Sequence, residues 1–176
     1  MSATRRLFLA LWPDTALRAA MVERTERARL VREFGGRRVP AHNLHLTLVF
    51  LGNVAAERVD ALIDEVGQST PPGPFTLRLD RFGTFPPARV AWLGAAPVPA
   101  ALALVEMLIG VACRQGLRID ARSWRPHVTL VRGIDARPSG LLPALDEPID
   151  WAVRDFALIE SIPGRPYQVL RTWPVE

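Results

Sequence analysis

Residues 43–52 read Asn43-Leu44-His45-Leu46-Thr47-Leu48-Val49-Phe50-Leu51-Gly52, and residues 125–132 read Arg125-Pro126-His127-Val128-Thr129-Leu130-Val131-Arg132. Each is a short apolar run holding one His-x-Thr motif. The first is stopped by Gly52-Asn53, which predicts strands over Leu44–Leu51 and over His127–Arg132. Alternate side chains of a strand share a face. That puts His45, Thr47 and Val49 on one side and Leu44, Leu46, Leu48 and Phe50 in the core. It likewise puts His127, Thr129 and Val131 together, with Val128 and Leu130 inward.

The two motifs lie close to half the chain apart. The chain has three histidines and nine threonines. Two His-x-Thr pairs among three histidines are roughly a 1% coincidence. One motif alone reads as a packed strand, whereas the pair points to chemistry. A neutral imidazole can take a proton from water attacking phosphorus, and a protonated one can give a proton to a departing ribose oxygen. The threonine hydroxyls can donate to the non-bridging oxygens. A five-membered cyclic phosphate is activated by its own ring, so this set needs no metal. His42 lacks a threonine partner and reads as a surface loop residue.

Working outward, Arg6 to Trp12 reads as a strand and Pro13-Asp14 opens a helix to about Glu33. Val54 to Gln68 forms an amphipathic helix. Phe75–Phe85 and Arg89–Leu93 are strands around Pro86-Pro87. A helix spans Pro99 to Gln115, and Cys113 is expected buried within it. Ile134–Pro148 reads as loop with a turn at Pro138-Ser139-Gly140. Trp151–Glu160 and Tyr167–Trp173 form a last strand pair around Pro163-Gly164. The pattern predicts α+β with antiparallel sheets.

The 176 residues carry a net charge of +4. All the basic residues are arginine, which pairs well with phosphate but also reflects biased composition. The positive balance favours an anionic partner such as RNA. One cysteine permits no intramolecular disulfide and fits a cytoplasmic location. The apolar run after Arg5-Arg6 stops at Pro13, too soon for a signal peptide. Ala95–Cys113 is broken by Pro97, Pro99 and Glu106, so no membrane span is expected. No zinc spacing, glycine-rich phosphate loop or nucleophile-elbow sequence is present, so neither cofactor nor metal is expected.

The chain resembles the two-histidine (2H) phosphoesterase superfamily, and within it the RNA 2′,3′-cyclic phosphodiesterase family, formerly called 2′-5′ RNA ligase. Arg6-Leu7-Phe8-Leu9-Ala10-Leu11, both motif runs, Leu79–Pro86, Val90–Leu93 and Tyr167–Leu170 carry the resemblance. It implies one bilobal domain over residues 1–176, a pseudo-twofold duplication with motif 45–48 in one lobe and 127–130 in the other. Two antiparallel sheets would form a central groove with helices outside. It implies hydrolysis of 2′,3′-cyclic ends to 2′-phosphates on RNA or nucleotides. The residues themselves add the expectation of no metal and no membrane, and a monomer is expected. The resemblance makes His45 the proton donor to the leaving O3′ and His127 the base, with Thr47 and Thr129 phosphate-binding and Arg132 either phosphate-binding or part of a structural ion pair. The motifs themselves do not distinguish the two histidines, and strict alternation sets Arg132 opposite His127. Two other activities suit the same motifs: ATP-independent 2′-5′ RNA ligation, and hydrolysis of small cyclic nucleotides. An RNA-binding protein with decayed chemistry fits poorly, because both motifs are intact. The tryptophans and Tyr167 could stack on bases, with core the commoner reading for Trp12, Trp92 and Trp151.

Overall fold

The computed structural model describes residues 3–120, 123–135, 142 and 145–175. In chain order its strands are β1 (Thr4–Leu11), β2 (Arg37–Arg38), β3 (Leu46–Ala55), β4 (Phe75–Phe85), β5 (Val90–Ala95), β6 (His127–Arg132), β7 (Ile149–Val153), β8 (Asp155–Glu160) and β9 (Gln168–Pro174). Its helices are α1 (Thr15–Arg27), α2 (Leu30–Phe34), α3 (Val59–Gln68) and α4 (Pro99–Arg114). The order across the sheet is β7-β4-β5-β6-β3-β1-β8-β9, with β2 on β6. All pairings are antiparallel. The expected α+β architecture is present in two halves, β7-β4-β5-β6 and β3-β1-β8-β9. They meet at a single residue pair, Leu46 with Val128.

One continuous core backs the whole sheet. It includes Leu7, Leu9, Leu46, Leu79, Leu93, Val128 and Trp151. Fully burying such a side chain contributes about 1.5–3 kcal/mol, so the seam pair, both completely buried, joins the halves through packing more than through its hydrogen bonds. Along β1, Leu7, Leu9 and Leu11 enter this core. Phe8 and Ala10 point the other way, into a small cluster with Ala157 and Ile159 that Trp12 and Tyr167 flank.

Several expectations need correction. The first helix breaks at Ala28–Arg29, where Arg29 takes a left-handed φ of 51°. The Ala28 and Arg29 N–H groups turn back to Arg24 and Glu26 carbonyls, which ends α1 without glycine or proline. β3 runs past Gly52-Asn53, because Gly52 adopts a φ of 75° at a bulge and stays paired with Leu7. Trp151–Glu160 is two strands in opposite halves: β7 pairs with β4, and β8 with β1. The inward residues shift phase at Arg154, from Ile149, Trp151 and Val153 to Phe156 and Leu158. α4 forms as expected, yet Cys113 is on its exposed side. Pro138-Ser139-Gly140 lies outside the described residues. Among the described residues no helix is long and apolar enough to cross a membrane.

Candidate active site

The seam fixes where the two motifs sit. Counting outward from Leu46–Val128 in an antiparallel register, His45 stands opposite Thr129 and Thr47 opposite His127. Leu46 and Val128 point into the core, so the four motif side chains share the other face. All four are half-buried. Among the described residues neither threonine hydroxyl has a hydrogen-bond partner, which leaves both free to donate.

Alternation then fails in both strands at the same place. The β1–β3 register slips between Leu9 and Ala10, leaving Leu48 as an extra residue. The β5–β6 register slips between Ala91 and Trp92, leaving Leu130 extra. A bulge turns two successive residues toward one side. Leu48 and Val49 are both core residues, as are Leu130 and Val131. Val49 and Val131 are therefore not on the histidine face. Phe50, expected in the core, is 46% exposed and pairs with Phe8, a site-face residue. Arg132 undergoes the same shift and is exposed on the side of His127 rather than opposite it.

Each imidazole is held in the same manner. His45 Nδ1 donates to the Asn43 carbonyl at 2.7 Å, and His127 Nδ1 donates to the Arg125 carbonyl at 2.7 Å. An acceptor at Nδ1 keeps the proton there and leaves Nε2 for chemistry. Each ring meets one aromatic edge: Tyr167 at 5.2 Å for His45, Phe85 at 4.9 Å for His127. Each also has a tryptophan neighbour, Trp12 at 6.2 Å and Trp92 at 6.1 Å. Phe8 adds a further contact to His45 at 4.8 Å. The Asn43 side chain accepts from the Tyr167 N–H at 3.1 Å, tying the start of β9 to the turn before β3. Trp124 Nε1 donates to the Thr47 carbonyl at 2.9 Å.

Burial pushes the His45 imidazole down to about 4. Its Asn43 hydrogen bond opposes that fall, while the charges of Arg132, His127 and Arg18 add to it. His127 is also lowered, first by burial and then by Arg132, against its Arg125 hydrogen bond. The Arg132 charge thus reaches both rings. The site offers two Nε2 atoms, two free hydroxyls and one guanidinium on one face, a set suited to proton transfer around a bound phosphate. Among the described residues no three His, Cys, Asp or Glu side chains group as metal ligands.

The motif alone did not reveal Trp12, Phe85, Trp92, Trp124 or Arg18. Trp12 and Trp92 read as core because both stand in apolar runs. A signal for Trp92 did exist: Gly83 and Gly94 lie where its indole crosses the sheet, and a Cβ at either would collide with it. Trp151 is core, as expected, and His42 sits exposed in the turn Ala41–Asn43.

The model of the 2′-5′ RNA ligase superfamily matches residues 13–165. The chain is 38% identical to the RNA 2′,3′-cyclic phosphodiesterase of Escherichia coli (strain K12) over 98% of both chains. It is 33% identical to the protein of that name from Thermus thermophilus, over 89% of this chain and 81% of the relative. The crystal structure of E. coli LigT complexed with 3′-AMP superposes with a TM-score of 0.86 at 34% identity, covering 98% of this chain and 99% of that one.

Proposed function

The chain belongs to the 2′-5′ RNA ligase superfamily, and from that premise we propose that it hydrolyses RNA 2′,3′-cyclic phosphodiester ends to 2′-phosphomonoesters by two-histidine acid–base catalysis. The observation that carries this reading is the meeting of two bulged His-x-Thr strands at Leu46–Val128.

In this reaction the cyclic phosphate sits over the seam. Thr47 and Thr129 donate to its non-bridging oxygens, and the Arg132 guanidinium faces the same charge. His127 Nε2 accepts a proton from the attacking water. His45 Nε2 gives one to the departing O3′, leaving the phosphate on O2′. A His45 ring depressed to about 4 is neutral in the empty site. The arriving anion opposes the effect of burial, so His45 takes up its proton as substrate docks. Ring strain in the substrate supplies the activation a metal would otherwise give.

We read the chain as one bilobal domain acting as a monomer, since both motifs come from one polypeptide. A reducing cytoplasm suits an exposed lone thiol. The deciding assay incubates purified protein with an RNA bearing a 2′,3′-cyclic end in EDTA and identifies the product. Formation of a 2′-phosphate is expected. No turnover, or turnover only after a divalent ion is restored, would defeat the proposal.

A further inference from the structure

A cavity of about 530 Å³ opens between α1 and the turn Ala41–Asn43, a volume suited to a nucleotide-sized ligand. Arg18 and His42 line it together with Ala19, Val22, Glu23 and Glu26. Arg18 also borders the catalytic face. Its guanidinium carbon stands 4.8 Å from the Trp12 ring centroid, and Trp12 stacks on His45.

The charges in this cavity are unevenly matched. Glu23 is paired with Arg24 and Arg27, and Glu26 with Arg38. Arg18 makes no salt bridge among the described residues, and its Nε and Nη2 are buried without a partner. An unpartnered guanidinium shielded from water is costly, and an anion relieves that cost. The neutralised carboxylates have no such need. The cavity therefore holds one cation without a salt bridge among the described residues, offset only by the Trp12 ring and by the charge of Asp14 beyond salt-bridge distance, beside the apolar surfaces of Ala19 and Val22.

We propose that this cavity binds the penultimate nucleotide of the RNA, with the internucleotide phosphate on Arg18 and His42 and the nucleoside against Ala19 and Val22. The proposal rests on the hydrolase reading above. It makes an oligonucleotide, rather than a cyclic mononucleotide, the better substrate. An RNA 3′ end has one phosphate between its last two riboses, so a cation beside the catalytic face is where the second phosphate of such an end would lie.

The test compares kcat/KM for adenosine 2′,3′-cyclic phosphate with that for a dinucleotide ending in the same group. Dividing the two cancels any influence of Arg18 exerted through His45. The wild type should favour the dinucleotide on the order of tenfold, the worth of one charge-assisted contact. Arg18→Gln, and Ala19→Trp as a cavity-filling change, should each bring the ratio close to one. A dinucleotide with a neutral methylphosphonate linkage should lose the advantage on unaltered protein. A wild-type ratio near one, or a ratio that survives both variants and the neutral linkage, would overturn this inference while leaving the hydrolase reading intact. No turnover of either substrate by the wild type would overturn the hydrolase reading, and this one with it.

Discussion

Phe50 and Arg132 occupy the same place in their strands. Each lies three residues after the motif threonine and just past a bulge, and each returns to the face of its histidine. One offers a ring to that face and the other a guanidinium. The Phe50 ring is capped by Arg6, whose guanidinium carbon is 4.9 Å from its centroid.

Arg132→Gln should lower kcat/KM by about 10–10², as expected when one charged donor to a phosphate is lost. It should also raise the imidazole pKa of both His45 and His127, because the positive charge that disfavours their protonated forms is gone. NMR titration of the two rings reads the second effect. Rings that titrate as in the wild type would show that the Arg132 charge does not act on the site.

His45→Ala and His127→Ala should each cost on the order of 10²–10⁴ in rate, and the double variant should be little worse than either, since the pair acts as a unit. Thr47→Ala and Thr129→Ala should cost about 10–10³. A substrate with a good leaving group should rescue His45→Ala only. Rescue of His127→Ala instead would exchange the two roles.

The depressed imidazoles set the pH behaviour. The free enzyme should show its kcat/KM optimum on the acid side of about 6.5, and the kcat profile should move to higher pH because bound phosphate favours the protonated rings. Stability should change in the opposite sense. A ring whose folded pKa is about 4, against 6.5 unfolded, resists protonation only while folded. Its contribution is complete above pH 6.5 and is lost as pH falls toward 4, by at most about 3 kcal/mol. Urea unfolding at pH 4.5 and 7.5 should show a smaller acid penalty for His45→Gln than for the wild type.

Gly83→Ala and Gly94→Ala place a methyl group against the Trp92 indole. Either should displace the ring, cost about 1–3 kcal/mol of stability through overpacking, and reduce activity through the neighbouring His127. Altered tryptophan fluorescence with unchanged kcat would separate Trp92 from the site.

The sequence made the motif strands legible because period-two burial and the His-x-Thr spacing report the same thing. What it hid depends on partners distant in sequence. The bulges at Leu48 and Leu130 arise from registers with β1 and β5, so strict alternation misplaced Val49, Val131, Phe50 and Arg132. The break at Arg29 has no glycine or proline to announce it. Trp12 sits in an apolar run like any core residue, and only the fold shows it against His45. The split at Arg154 was readable, since the apolar positions change parity there and Arg154-Asp155 interrupts the run, but the pairing of the two strands with β4 and with β1 was not.

β8 and β9 belong to the half that begins with β1, though the four strands of the other half precede them in the chain. Synthesis on the ribosome therefore presents β1 and β3 long before the strand that must cover the outer edge of β1. Until then that edge is unpaired, and Tyr167 is not yet beside His45. The site is completed only once Tyr167 and β9 have been made, so a nascent chain carries both histidines without the surroundings that set one of them. A chain stopped within β7 would keep both motifs and lack a finished site.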